Sequence, residues 1–117
     1  MKSIQPADLD PRAAYQLLVS VVIPRPIGWI STVSAEGVYN LAPYSFFNGV
    51  GGNPPTVMFS ASKRRPSDIG KDSLLNAQQT GEFVVNIVSE DLTEAMNNSS
   101  ADVPFSVNEF EHVGLTA

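Results

Sequence analysis

The chain has 117 residues and a mass of 12.6 kDa, which is typical of one domain, and its composition of 43% hydrophobic and 16% charged residues is that of a globular protein. It has no cysteine and one histidine. These counts exclude disulfides, thiolate or multi-histidine metal sites and a cysteine nucleophile, so any redox chemistry depends on a bound organic cofactor. The net charge of −5 disfavours nucleic acid and anionic membranes as partners. The most apolar stretch, 17–23, is too short to span a membrane, and we predict a cytoplasmic protein.

The first third of the sequence predicts a helix and then a β-hairpin. Asp10 followed by Pro11 is typical of a helix start, because the carboxylate caps free backbone N–H groups and proline suits the first helical position. Apolar residues then recur at helical spacing until Pro24 ends the helix. Residues 27–34 and 38–41 have strand character and are joined by a glycine-containing turn.

Three aromatic residues and one serine follow the hairpin, and we call residues 44–47 the aromatic-serine loop. Aromatic faces beside a hydroxyl suit a planar heteroaromatic ring, although on these residues alone Phe46 and Phe47 are more simply core residues. The glycine-rich stretch 49–55 predicts a flexible connection in which a flat ligand can approach the backbone. Residues 56–60 predict a short buried strand.

Basic and hydroxyl side chains are concentrated between residues 60 and 73. The cations are Lys63, Arg64, Arg65 and Lys71, and the hydroxyls are those of Ser60, Ser62, Ser67 and Ser73. A helix capped by Asp72 or Ser73 and ending at Gly81 is predicted to begin here, and it adds the positive end of its dipole. This combination is typical of a phosphate site, and a solvated serine-rich loop is the alternative.

The rest of the chain predicts one more strand and one more helix. Residues 83–88 are almost all β-branched or aromatic, and Ser89 is expected to cap a helix over 90–97. The expected anchors of the tail are Phe105, Val107 and Phe110. Strands with short helices between them indicate a mainly β domain of the α+β class, rather than a doubly wound parallel sheet.

Two sequence blocks carry a family resemblance: Asn-Leu-Ala-Pro-Tyr-Ser at 40–45 and Lys-Asp-Ser at 71–73. The other matching motifs are Arg25-Pro26-Ile27, Ser31-Thr32, Asn53-Pro54-Pro55, Phe59-Ser60, Thr80-Gly81-Glu82-Phe83-Val84-Val85-Asn86 and Gly114-Leu115-Thr116. In order and spacing, over nearly the whole chain, this sequence resembles the flavin reductase-like, FMN-binding split-barrel family.

The resemblance implies an antiparallel, six-stranded split β-barrel with Greek-key connections. It also implies a homodimer that binds FMN near the subunit interface. The implied activity is the reduction of flavin by NADH or NADPH, often to supply a partner monooxygenase. Because the two cofactors exchange the hydride, no protein residue is assigned a catalytic role.

The same resemblance assigns residues to an FMN site. Those expected to face the isoalloxazine ring are Tyr44, Ser45 and Phe46. Those expected to hold the phosphate are Ser60, Ala61, Ser62, Arg65, Lys71 and Ser73. Asn86 is a further expected flavin contact, with a structural amide in the sheet as the alternative.

Members of this family are usually much longer, so residues 1–117 are expected to be the N-terminal part of a longer family domain. The four strands counted above are too few to close a barrel. Two alternatives to a reductase therefore stay open: a non-catalytic FMN-binding electron carrier or sensor, and an inactive truncated domain. His112, the single histidine, is expected at the surface.

Overall fold

The computed structural model describes residues 3–61 and 71–117, which form five strands and four α-helices. In chain order the elements are α1 (Pro11–Val21), β1 (Gly28–Val33), β2 (Tyr39–Tyr44), β3 (Phe47–Gly52), β4 (Pro55–Phe59), α2 (Asp72–Thr80), β5 (Val84–Asn86), α3 (Thr93–Asn98) and α4 (Glu109–His112). Single 3-10 turns cover Pro6–Asp8 and Glu90–Leu92.

Antiparallel pairing organises the strands into two separate sheets. One sheet has the order β2-β1-β5, and the other is the β3–β4 hairpin. In the larger sheet, Trp29 of β1 lies opposite Pro43 of β2 and Asn86 of β5. The predicted architecture of antiparallel strands with short helices is confirmed, and the described strands do not close a barrel.

Local sequence signals set the ends of α1 and α2. The Asp10 carboxylate accepts hydrogen bonds from the backbone N–H groups of Arg12 and Ala13, each at 2.9 Å. Gly81 ends α2 with a φ of 79°, a left-handed conformation that glycine adopts without steric cost. Both predicted ends are therefore confirmed. Of the helices within the described ranges, none has the length and apolarity that crossing a bilayer requires.

The glycine-rich stretch is a strand rather than the predicted flexible connection. In the β3–β4 hairpin, Gly49 lies opposite Val57 and Gly52 opposite Pro55, with an irregularity between Gly49 and Gly51. Strand pairing uses backbone groups alone, and the partner strand follows immediately in the chain. The glycine content of this stretch therefore led to a wrong prediction, because amino-acid composition does not show that a neighbouring strand is available to pair with it.

The helix caps predicted at Asp72 or Ser73 and at Ser89 are wrong. The N-cap of α2 is Lys71, whose side chain makes no capping hydrogen bond. The Ser73 hydroxyl donates instead to Asn40 Oδ1 at 2.6 Å, because a buried hydroxyl takes the acceptor that tertiary packing offers. Ser89 makes no side-chain capping hydrogen bond either, and the 3-10 turn that follows it separates it from α3.

Three further predictions need correction. The strand predicted at 56–60 is not buried: in β4, Val57 is 45% exposed and Met58 42% exposed. β5 contains only Val84–Asn86, because it pairs with β1 over three residues, and Ile87 beyond it is 77% exposed. Phe105 is 46% exposed and does not anchor the tail. Phe110 does, since its ring packs edge-on against that of Tyr39 with 6.3 Å between the centroids.

The interior of the described chain is more polar than apolar. The buried apolar side chains are Trp29, Ile30 and Leu41. The buried polar or charged side chains are Thr32, Ser34, Asn40, Ser73, Asn76, Ser99 and Glu109. The molecule is also extended, with a radius of gyration of 15.9 Å, whereas about 13 Å is expected for a compact domain of this length. Apolar burial within the described chain is therefore limited.

A network of buried polar groups joins β2, α2 and α4. Asn40 Nδ2 donates to Glu109 Oε1 at 2.8 Å, and the backbone N–H of Leu41 donates to Glu109 Oε2 at 3.3 Å. The other end of the Asn40 amide accepts the Ser73 hydroxyl and, at 3.3 Å, the Thr32 hydroxyl. Asn40 of β2 thereby holds both α2 and α4 against the sheet.

Burial raises the pKa of Glu109 above its ordinary value of 4.5, and the hydrogen bonds from Leu41 and Asn40 oppose that rise. A carboxyl group with a raised folded-state pKa binds its proton more tightly in the folded than in the unfolded state. Its contribution therefore favours folding at low pH, and this contribution is lost as the pH rises from about 4.5 through the folded-state pKa.

We expect Glu109→Gln to reduce the fall in the free energy of unfolding as the pH rises above 4.5. The change in slope is at most about 1.4 kcal/mol per pH unit, which is the limit for the release of one proton. Denaturant unfolding followed by circular dichroism between pH 4.5 and 7 measures this slope. Glu111→Gln removes an exposed carboxylate from the same helix and is the matched control. Equal flattening in the two variants would contradict the assignment to Glu109.

Candidate functional site

One cavity, of about 900 Å³, lies among the elements that the sequence assigned to ligand binding. Its walls are the start of α1, the end of β2 with the aromatic-serine loop, the start of α2 and the segment after α3. The lining residues are Asp10, Pro11, Arg12, Tyr15, Asn40, Ala42, Pro43, Tyr44, Ser45, Phe46, Ser60, Lys71, Asp72, Ser73, Ser99, Ser100, Ala101, Asp102, Val103 and Glu109. This volume is in the range of pockets for cofactors and other small molecules.

The aromatic-serine loop connects β2 to β3 and is held on both sides. The Phe46 ring meets Tyr15 of α1 edge-on, with 6.2 Å between centroids, and the Phe46 carbonyl accepts from the Ser60 N–H at 2.8 Å. The Tyr44 ring packs against Phe59 at 5.0 Å. Burial raises the pKa of Tyr44, so its phenol stays protonated around neutral pH.

A cation and the start of a helix form a second wall. Lys71 Nζ lies 3.9 Å from Asp102 Oδ1, and Lys71 is also the N-cap residue of α2, which carries no side-chain cap. The first backbone N–H groups of a helix carry partial positive charge, which suits an anion. Ser73 lies in the first turn of α2, but its hydroxyl proton is used by Asn40.

The charges of the lining are mostly compensated within the protein. The described lining contains four carboxylates and two cations. The carboxylate of Asp10 caps α1, that of Asp102 faces Lys71, and that of Glu109 is held by Asn40 and Leu41. Burial raises the pKa of Asp72, and the Lys71 cation opposes that rise. Three of the four carboxylates are therefore engaged by donors or a cation of the protein itself.

The structure brings most of the predicted site residues together. Those that line the cavity are Tyr44, Ser45, Phe46, Ser60, Lys71 and Ser73. Asn86 does not line it: the Asn86 amide donates to the Trp29 carbonyl at 3.0 Å and to Ser31 Oγ at 3.2 Å, as a structural amide of the sheet does. Ala61 is half-buried beside Ser60 without lining the cavity. Ser62 and Arg65, with the neighbouring Lys63 and Arg64, lie outside the described residues.

Sequence reasoning missed the contributions of α1, of the segment 99–103 and of Glu109 to the cavity. No local motif marks them, because they reach the cavity through contacts between distant parts of the chain. One signal was present: Asn40 belongs to the block at 40–45, and an asparagine inside an otherwise apolar strand requires hydrogen-bond partners.

The comparisons with known proteins agree with these observations. Residues 20–117 match the family model described as "Flavin reductase like domain". An uncharacterised protein of Aquifex aeolicus (strain VF5) is 47% identical over 109 residues, which are 93% of this chain and 55% of that relative.

Solved structures give the same result. The chain superposes on component B of the nitrilotriacetate monooxygenase from Bacillus cereus with a TM-score of 0.91 and 40% identity, covering 99% of this chain and 56% of that one. A Shewanella frigidimarina protein, assigned as a flavin reductase with a split barrel domain, superposes with a TM-score of 0.76 and 27% identity over 95% of this chain and 53% of that one. The chain thus spans about half the length of these proteins, and it belongs to the family of flavin reductase-like domains with a split-barrel fold.

Proposed function

We propose that the cavity binds FMN and that the protein is an NAD(P)H-dependent flavin reductase, which supplies reduced flavin or electrons to an acceptor. The observation that supports this most is the convergence of the aromatic-serine loop and Lys71 on one cavity of about 900 Å³. One wall offers aromatic faces and a hydroxyl, and the other offers a cation and a helix start. FMN combines a planar ring with a phosphate and needs both.

The wall formed by the aromatic-serine loop suits the isoalloxazine ring. Tyr44 and Phe46 provide apolar ring surface, and Ser45 lies between them with a hydroxyl for a ring heteroatom. Their rings are fixed by packing against Phe59 and Tyr15, so little conformational entropy is lost on binding. Asn86 is bonded within the sheet and is not part of this proposal.

The wall at the start of α2 suits the phosphate. Lys71 supplies charge, Ser60 a hydroxyl and the first turn of α2 its backbone N–H groups. Asp102 faces Lys71 across 3.9 Å, so a phosphate would share or replace that carboxylate. The roles of Ala61, Ser62, Arg65 and Ser73 in holding the phosphate stay predictions.

A bound flavin would accept a hydride from NADH or NADPH and pass electrons on, while the residues of this chain bind the ring and the phosphate, orient them and exclude water. The similarity to component B of a monooxygenase supports a monooxygenase as the partner that receives the reduced flavin. A cytoplasmic location stays a prediction.

Titration of the protein with FMN should quench flavin fluorescence at micromolar concentrations. Lys71→Ala should weaken FMN binding about tenfold, because it removes one charged partner of the phosphate. Riboflavin has the same ring without the phosphate and is the matched control, for which we expect less than about a twofold change. Absence of saturable binding by the folded wild-type protein, or equal losses for FMN and riboflavin, would contradict the proposed site.

Steady-state oxidation of NADH and NADPH with FMN as acceptor tests the activity. We expect oxidation of at least one nicotinamide to depend on added flavin and to fall in Lys71→Ala at subsaturating FMN, since the variant binds less cofactor. A protein that binds FMN but oxidises neither nicotinamide would be assigned to the alternative class, an electron carrier or sensor.

We also propose that the protein forms a homodimer through the open edge of β5. Val84 is 59% exposed and Ile87 77% exposed at that edge, and edge strands offer unpaired backbone groups to a second chain. A twofold dimer buries such a surface on both copies.

Light scattering should therefore give a mass of twice 12.6 kDa for the wild-type protein, and FMN should favour the dimer if the site lies near the interface. Ile87→Glu should shift the protein toward the monomer, whereas Ile4→Glu, which alters an exposed apolar residue outside both sheets, should not. A wild-type monomer that binds FMN at full stoichiometry would contradict the dimer.

A further inference from the structure

We propose that Arg25 is a positioning residue that joins the aromatic-serine loop to the end of α1 and directs the Ser45 hydroxyl toward the ring of the bound flavin. This inference rests on the proposed flavin binding. It adds a residue that does not itself line the cavity but contacts two that do, Ser45 and Phe46.

The Arg25 guanidinium connects two elements by hydrogen bonds in different directions. Its Nη1 donates to the carbonyls of Val19 and Val22 at 2.7 and 2.9 Å, where the last turn of α1 leaves carbonyls without helical partners. Its Nε donates to Ser45 Oγ at 3.2 Å. One half-buried side chain thereby holds the loop and the helix at a fixed separation.

The same guanidinium also contacts the neighbouring aromatic ring. Arg25 Cζ lies 5.8 Å from the centroid of the Phe46 ring, within the range of a cation–π contact. Tyr15, on α1, meets that ring edge-on. Phe46 is therefore fixed by one residue of α1 and by the arginine that binds the end of α1.

The two residues beside Arg25 restrict its backbone conformation. Pro24 and Pro26 flank the arginine, and a residue that precedes proline is held in extended backbone. An arginine offers N–H groups that diverge from a rigid plane, whereas a lysine offers a single flexible ammonium. Only arginine can bond the α1 carbonyls and Ser45 with this spacing.

The hydrogen bond from Arg25 determines what Ser45 can offer a ligand. Because Ser45 Oγ accepts from Nε, its own proton remains to be donated elsewhere. Ser45 lines the cavity, so it presents a donor to the ligand. The matching ligand group is an acceptor, such as a ring nitrogen or carbonyl oxygen at the edge of a flavin. The effect of Arg25 is thus on the ring and not on the phosphate.

The test is a double-mutant cycle with Arg25→Lys and Ser45→Ala, read by titration with FMN and with riboflavin. Each single variant should bind both flavins about fivefold more weakly, the effect of one hydrogen bond, and by the same factor for the two flavins. The double variant should lose no more than Ser45→Ala alone, because Arg25 acts on the flavin through Ser45. Ser20→Ala, which alters an exposed serine on α1, is the control for the loss of a hydroxyl.

Two further readouts separate positioning from a merely structural role. In Arg25→Lys the ammonium still faces the α1 carbonyls, so the midpoint of thermal unfolding should stay close to that of the wild type. The absorption spectrum of the bound flavin should change in the same way in Arg25→Lys and in Ser45→Ala, and not in Lys71→Ala. If Arg25→Lys does not fold, Arg25→Gln takes its place, and unchanged affinity of that folded variant for both flavins would overturn the inference.

Unchanged flavin binding and spectra in Arg25→Lys or in Ser45→Ala, or a double variant whose loss is the product of the two single losses, would overturn the inference and leave the proposed function intact. A folded wild-type protein that binds neither flavin would overturn both.

Discussion

The buried carboxylate of Glu109 is the constraint on which the rest of this structure depends. A carboxylate that is only 6% exposed requires hydrogen-bond donors, and it takes them from Asn40 and from the backbone of Leu41. These contacts hold α4 against β2. Asn40 Oδ1 then accepts the Ser73 hydroxyl and thereby holds the start of α2. With three apolar side chains buried in the described chain, directional polar contacts rather than apolar burial hold α2 and α4 on the sheet.

The network around Asn40 and Glu109 also forms part of the cavity wall. Asn40, Ser73 and Glu109 all line it, so the same network that holds α2 also fixes where Lys71 and the first N–H groups of the helix are presented. The wall that carries the aromatic-serine loop is also held by the bonds of Arg25 to α1 and to Ser45. A site built in this way has little freedom to adjust, and preorganised groups bind a ligand with a smaller entropy cost.

The sequence predicts those features that depend on neighbouring residues. The start of α1 follows from Asp10 and Pro11, and the end of α2 follows from Gly81, because capping is a local interaction. The residues of the two walls were assigned from the family resemblance, while their residue types alone left a core role and a solvated loop as alternatives. The contact between Asn40 and Glu109 was not predicted, since it joins residues 69 positions apart and no local pattern encodes it. The same reason explains why the cap predicted at Ser73 is wrong: its hydroxyl donates to Asn40, which is distant in the sequence.

The proposed ligand site and the proposed dimer edge lie on different surfaces of this chain. The cavity is lined by α1, β2, α2 and the segment after α3, whereas the most exposed apolar side chain, that of Ile87, follows β5. Val57 and Met58, on the β3–β4 hairpin, are also exposed and do not line the cavity. A second chain that pairs with β5 can therefore cover apolar surface without occupying the cavity. In the larger sheet β5 reaches β2 by way of β1. Within one chain, a coupling between the proposed dimer edge and the wall of the cavity at β2 would therefore pass through β1.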